Sequence, residues 1–194
     1  MRYLVNFPRP IIPLAIAFEG ALGVVGCIVA WWFGMSLGER LVLSTEVVWR
    51  CTLALVPMLG LLVFAMRSYW PPIARLRRQV GSLVHELFGG ARWWELLAVA
   101  VAAGVGEELL FRGALQPLAG RWLGAAAGLV LVSVVFGALH AASAAYFVLA
   151  TLVGLYLGLL AQSYDDLVTP IFVHAVYDFA ALCALQRTPG FGSD

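Results

Sequence analysis

The stretch from Ile11 to Met35, IIPLAIAFEGALGVVGCIVAWWFGM, decides the fold class. It is longer than the roughly 20 apolar residues that a helix needs to cross a bilayer, and Glu19 is its only charged side chain. It also exceeds the roughly 7–15 apolar residues of a signal peptide. The sequence therefore predicts a retained first membrane helix.

Composition extends this conclusion to the whole chain. Hydrophobic residues make up 62% and charged residues 12% of the 194 residues, whereas soluble proteins have about 45–50% and about 25%. One soluble core of this size cannot bury so much apolar surface, so membrane lipid must cover the remainder. The formal net charge of +1 argues against nucleic acid as a partner.

Including the first helix, the chain contains six apolar segments: 11–35, 46–66, 94–117, 124–142, 144–162 and 168–186. Thr169 is expected to cap the last of them, with Pro170 at its first position. Residues 73–88 differ from these segments, because their apolar residues form one stripe of a helix and their arginines lie mostly off it. Such a helix is expected to lie in the membrane surface against anionic lipid, although a solvated linker helix is an alternative.

The expected fold is thus all-α: a polytopic membrane helix bundle with about six transmembrane helices and one interfacial amphipathic helix. Residues 1–92 would form a two-helix membrane segment plus the basic amphipathic helix. Residues 93–186 would form a helix bundle that carries the chemistry, and residues 187–194 a short tail.

Arginine bias predicts the orientation of the bundle. Arg2 and Arg9 precede the first segment, and after two spans the arginine-rich residues 67–92 return to the same side. The opposite loops carry no net positive charge. Both termini, including Arg187, are therefore expected in the cytoplasm. The compact chain without lysine is typical of a bacterial protein, so we expect it in a bacterial cytoplasmic membrane.

Ionisable residues are costly inside a membrane and usually functional. Here they cluster in three segments, which contain Glu107, Glu108 and Arg112, then Phe136 and His140, then His174 and Asp178. Four-residue helical spacing predicts an ion pair between Glu108 and Arg112. Glu107 lacks a basic partner in its own helix, which suits a general base. Four-residue spacing also lets Asp178 orient the imidazole of His174, or lets both face a common ion.

These three motifs, in this order, resemble the CAAX protease and bacteriocin-processing (CPBP, or Abi) family of intramembrane proteases. The resemblance covers about residues 93–185. It departs at Asp178, where the prenyl-protein endopeptidases usually have Asn. The compact chain also resembles the myxosortase-like bacterial members.

The resemblance implies hydrolysis of a peptide bond in a membrane-anchored protein or peptide. Glu107 would activate a water with help from His140, while His174 and Asp178 would stabilise the oxyanion. Glu108, Arg112 and Phe136 would support the site. A zinc ion held by His140, His174, Asp178 and Glu107 is one implied form of this chemistry, and a metal-free mechanism is the other.

Two other classes of function remain open from sequence. One is a catalytically inactive scaffold or immunity protein with the same fold. The other is a small proton-coupled transporter, although such proteins usually contain repeated halves, which this sequence lacks. Glu19 is expected to form a hydrogen bond to another helix, the alternative being that it lines the substrate path.

Overall fold

The computed structural model describes residues 11–187, in which every regular element is helical. This confirms the all-α membrane helix bundle that the sequence predicts. Arg2 and Arg9, and the tail after Arg187, lie outside the described residues. The helices are α1 (Ile11–Trp32), α2 (Thr45–Arg67), α3 (Pro71–Phe88), α4 (Trp93–Glu108), a π-helix (Leu109–Leu115), α5 (Gln116–Leu123), α6 (Ala125–Leu139), α7 (Ala144–Tyr164) and α8 (Val168–Gln186), with a 3₁₀ turn at Gly38–Arg40.

Four helices are long and apolar enough to cross a membrane, namely α1, α2, α7 and α8. The other two predicted segments are also helical but differ from simple spans. Segment 94–117 is part of one helical run from Trp93 to Leu123 that changes to π geometry in its middle. Segment 124–142 is α6, whose 15 residues extend about 22 Å, less than the roughly 30 Å of a hydrocarbon core.

Helix α4 lies at the centre of the bundle, packed against α1 on one side and α8 on the other. Gly104 permits the close approach to α8, because a Cβ at this position would come 2.9 Å from the Cβ and the backbone nitrogen of Ala175. Small residues bring membrane helices together in this way. The approach places the acidic end of α4 beside the histidine-bearing part of α8.

Helix α3 confirms the helix predicted over 73–88, but its arginines are not all at the surface. Arg77 donates from Nη1 to the backbone oxygens of Ala65, Met66 and Ser68, and so caps the end of α2. At the other end of α3, the Gln186 side chain donates to the backbone oxygens of Phe88 and Ala91. Helix α3 is therefore tied to α2 and α8, and its contact with anionic lipid stays a prediction.

The start of α8 corrects two expectations. The helix begins at Val168, so that Pro170 is its third residue and not its first. Thr169 does not supply the capping acceptor; its backbone N–H and its hydroxyl donate to Asp166, at 2.7 and 3.0 Å. A buried carboxylate accepts two hydrogen bonds here and also lies 3.5 Å from Arg50. Asp166 therefore fixes the first turn of α8.

Candidate active site

The π-helix begins immediately after two adjacent acids, Glu107 and Glu108, and contains Arg112. Short π segments within α-helices are frequent at functional sites. Glu108 and Arg112 are almost completely buried, and Nη1 of Arg112 donates to Oε1 of Glu108 at 2.8 Å. The structure thus contains the predicted ion pair. Nη2 of Arg112 donates to the backbone oxygen of Gly154 at 2.9 Å, which fastens the π-helix to α7.

His174 lies against two carboxylates. Its Nδ1 is 2.8 Å from Oε1 of Glu108, and its Nε2 is 3.3 Å from Oδ2 of Asp178. Both ring nitrogens therefore face acceptors, an arrangement that suits two N–H donors. His174 is buried, whereas the Asp178 side chain keeps about a third of its surface accessible. These two contacts fix the orientation of the imidazole ring.

Glu107 lies between the two histidines. Its Oε1 is 3.7 Å from Nε2 of His140, and its Oε2 is 3.8 Å from Nε2 of His174. The residue is only 7% exposed, and Oε2 has no hydrogen-bond partner among the residues that the structure describes. Glu107 is therefore a buried carboxylate that lies next to two imidazoles and has one oxygen without a hydrogen-bond partner among residues 11–187.

His140 is held at the end of α6 by its own helix. Its Nδ1 lies 2.9 Å from the backbone oxygen of Phe136, and its ring stacks on the Phe136 ring at 4.5 Å between centroids. A carbonyl oxygen only accepts, so Nδ1 carries the proton that it donates, and in the neutral ring Nε2 is left as an acceptor. That free nitrogen faces Glu107. Phe136 also contacts Arg112, whose guanidinium lies 4.6 Å from its ring centroid.

Glu107, His140, His174 and Asp178 line a cavity of about 320 Å³ whose walls are mainly apolar. Helix α3 forms part of these walls through half-buried or buried side chains, and α1 contributes Glu19. Among residues not singled out by sequence, Tyr146 lines the cavity with its ring 6.4 Å from that of His140. The cavity-lining residues of α3 are Ile73, Leu76, Arg77, Val80, Val84 and Phe88.

Glu19 differs from its sequence-based expectation. No hydrogen bond joins its side chain to another helix within residues 11–187, and its buried Oε2 is without a partner. It lines the cavity that Glu107, His174 and Asp178 also line. The alternative placement, along the substrate path, is the one that agrees with this position.

Arg40 supports the site from the loop between α1 and α2. It donates to the backbone oxygens of Arg112 at 3.2 Å and Ala161 at 3.4 Å, and its Nε lies 3.1 Å from Oδ1 of Asp165. Burial lowers the pKa of Arg40, while Asp165 and Asp166 act in the opposite direction. Sequence spacing gives no signal for these contacts, since they join parts of the chain 72 and 121 residues apart.

The arrangement of the described His, Asp and Glu side chains does not match a metal site. Within the described part of the chain, no group of three or more His, Cys, Asp or Glu side chains is arranged to hold a metal ion. His174 already directs Nδ1 to Glu108 and Nε2 towards Asp178. The zinc set of His140, His174, Asp178 and Glu107 therefore stays a prediction, and no step below depends on a metal.

Comparison with known proteins gives one positive finding. Residues 89–180 match the family model described as type II CAAX prenyl endopeptidase Rce1-like. Over this segment, slightly less than half of the chain, the protein is similar to the Rce1-like family. The match confirms the resemblance to CAAX proteases and supports a multi-pass membrane protein of endopeptidase type. It includes Glu107, Glu108, His140, His174 and Asp178, and it leaves α1, α2 and α3 outside.

No curated protein and no solved structure matches the chain. The Rce1-like match therefore shows a similarity to that family over residues 89–180 and leaves the myxosortase-like subtype a prediction. The roles of the individual site residues are likewise predictions that rest on the geometry above.

Proposed function

We propose that this Rce1-like protein is an intramembrane endopeptidase that cleaves a membrane-anchored peptide with a water activated by Glu107. The observation that carries the proposal is the position of Glu107. Its carboxylate is buried, lies between His140 and His174, and faces a largely apolar cavity. A general base needs a free acceptor within reach of the water that it deprotonates, and Glu107 offers one.

The separation between Glu107 and His140 suits a water that contacts both residues. At 3.7 Å their nearest atoms are too far apart for a direct hydrogen bond. One water oxygen can lie about 2.8 Å from each of them. Glu107 then accepts a proton from this water while Nε2 of His140 accepts its second hydrogen bond and orients the oxygen for attack on the scissile carbonyl carbon.

His174 is placed to stabilise the charge that develops on the carbonyl oxygen. Nδ1 is already engaged by Glu108, so Nε2 is the nitrogen able to donate to a tetrahedral oxyanion. Before the substrate binds, Oδ2 of Asp178 lies 3.3 Å from this nitrogen and orients it. Glu107 finally gives its proton to the amide nitrogen and the C–N bond breaks. The products are a carboxylic acid and an amine, and transfer of the acid's proton to the amine yields a carboxylate and an ammonium group.

Glu108 and Arg112 act as positioning residues in this scheme. Glu108 joins the guanidinium of Arg112 to the imidazole of His174 through a single oxygen, Oε1. Arg112 in turn is anchored to the Gly154 backbone and covered by Phe136. Loss of this pair would displace His174 without removing a group that touches the reacting atoms.

The test is a comparison of membrane-protein termini in cells that contain the wild-type protein or Glu107→Gln. The wild-type protein should generate new termini on at least one membrane-anchored protein, and Glu107→Gln should remove them. Glu86→Gln is the matched control, because Glu86 is exposed on α3 and does not line the cavity. Identical termini in all three strains would contradict the proposal and favour the inactive scaffold alternative.

A further inference from the structure

Helix α1 contributes an acid to the cavity although it lies outside the segment that matches the Rce1-like family. Glu19 is placed within electrostatic reach of Glu107, His174 and Asp178. It forms no ion pair or hydrogen bond with any residue between 11 and 187, and its Oε2 is buried. An acid retained in a membrane helix without a partner is a candidate for function.

The position of Glu19 relative to Glu107 is fixed by direct contact between two helix backbones. A Cβ added at Gly106 would collide with the backbone oxygen of Glu19, so glycine is required at this point of α4. One turn further along α1, a Cβ at Gly23 would lie 3.2 Å from the Cα of Gly106. Glu19 and the residue next to Gly106, Glu107, therefore face the cavity from two tightly joined helices.

Glu19 is the acid of this cavity that pairs with no cation among residues 11–187, whereas Glu107 and Asp178 lie 3.8 and 3.3 Å from Nε2 of His174. Glu19, Glu107 and Asp178 all line the cavity, whereas Glu108 is paired with Arg112 behind its wall. Arg77 also lines the cavity, but its Nη1 donates to three backbone oxygens at the end of α2. Glu107 also lines this space, is itself nine-tenths buried, and has an Oε2 without a hydrogen-bond partner among the described residues. The arrangement suits a ligand that brings a positive charge.

We propose that Glu19 selects substrates with a basic side chain, Lys or Arg, close to the scissile bond. The inference rests on the proposed endopeptidase function and adds its substrate class. The cavity walls are mainly apolar, so the cation must arrive on an apolar, membrane-embedded peptide. A basic residue within such a peptide also needs an acidic partner, and Glu19 supplies one beside Glu107.

A binding experiment tests this independently of cleavage. The protein would carry His140→Ala, which blocks hydrolysis in the proposed mechanism but keeps all three acids, and would be reconstituted in lipid vesicles. The probes are two fluorescent single-span Leu-rich peptides that differ by one Lys or Leu in the middle of the span. The Lys probe should bind about tenfold more tightly, as expected for a charge-assisted hydrogen bond.

Glu19→Gln should make the two affinities equal within about twofold, and Glu19→Lys should instead favour a probe with Asp at the same position. Glu19→Asp, which keeps the charge, should retain part of the preference for Lys. Glu86→Gln is the matched control and should leave the preference unchanged. Thermal unfolding of each variant identifies any that fails to fold.

Equal binding of the Lys and Leu probes to the protein with Glu19 intact would overturn the inference, as would a Lys preference that survives Glu19→Gln. Neither result depends on hydrolysis. Conversely, membrane-protein termini that do not change with Glu107→Gln would contradict the endopeptidase function and leave the measured Lys preference standing.

Discussion

Oε1 of Glu108 lies 2.8 Å from Nδ1 of His174, although 66 residues separate them along the chain. The same oxygen accepts from Arg112 at 2.8 Å. One buried carboxylate therefore joins the π-helix to α8 and determines the direction in which the free side of the His174 ring points. The strongest effects of mutation are expected around this oxygen.

The first prediction concerns the buried ion pair. Glu108→Gln leaves the Arg112 guanidinium buried without a countercharge, a change that costs about 3–5 kcal/mol in folded proteins. We expect less protein in the membrane, a lower unfolding temperature and reduced cleavage. The double variant Glu108→Gln, Arg112→Leu should recover the protein yield without full activity. Normal yield and normal cleavage by Glu108→Gln would show that the pair does not support the site.

The second prediction concerns the groups that would act on water. Glu107→Ala, His140→Ala and His174→Ala should each reduce cleavage by about 100-fold or more, the usual range for loss of an acid–base group. Membrane insertion should be preserved. Initial rates on a substrate identified from the terminus comparison provide the measurement, with Glu86→Gln as the control. Retention of most activity by Glu107→Ala would rule out its role as the base.

The third prediction separates charge from hydrogen bonding at Asp178. Its Oδ2 lies 3.3 Å from Nε2 of His174. Asn keeps an acceptor oxygen for this contact and adds an N–H donor, so Asp178→Asn should retain part of the activity. Asp178→Leu can neither accept nor donate and should lose nearly all of it. Equal rates for the two variants would mean that hydrogen bonding at this position is unimportant.

The fourth prediction concerns metal dependence. No three ligand-type side chains among residues 11–187 are arranged to hold a metal ion. We therefore expect cleavage by purified protein to survive prolonged dialysis against a chelator, and elemental analysis to find less than one zinc per chain. Loss of activity on dialysis with recovery on adding zinc would establish the zinc set His140, His174, Asp178 and Glu107 instead.

The fifth prediction concerns orientation in the membrane. Five arginines lie from the end of α2 to the start of α4, namely Arg67, Arg75, Arg77, Arg78 and Arg92. Positively charged connections between spans remain in the cytoplasm. A reporter fused after Arg187 should therefore score as cytoplasmic, and one inserted in the loop after α1, at Ser36, as extracytoplasmic. The reverse pattern would invert the assignment of both termini.

Local spacing accounts for what the sequence predicted correctly. The contacts Glu108–Arg112 and His174–Asp178 follow from four-residue separation on a helix. The sequence does not predict the π-helix, because the hydrophobic pattern of a short π segment does not distinguish it from an α-helix. The cap at Asp166 was missed because loop acids commonly face solvent, whereas this one is buried by Arg50 and Thr169.

Contacts between distant segments account for what the sequence could not supply. Glu108 meets His174 because α4 and α8 approach closely at Gly104, and Arg40 reaches the π-helix from a loop 72 residues earlier. Glu19 is the clearest case. Its position in α1 suggested a hydrogen bond, and only the contact of α1 with Gly106 shows that it faces the cavity.

The π-helix also determines where this protein can change in length during evolution. A π segment is equivalent to an α-helix that has taken up an additional residue, and its wider turn absorbs that residue. Deletion of one of residues 113–115 would therefore restore α geometry and leave α5 in nearly its present rotation relative to α4. Gln116 would still face the Gly158 carbonyl, to which it donates at 3.0 Å. Deletion of one residue from α5 itself, which already has α geometry, would instead rotate the residues after it by about 100°. Homologous sequences should accordingly lose one residue more readily in the π segment than in α5.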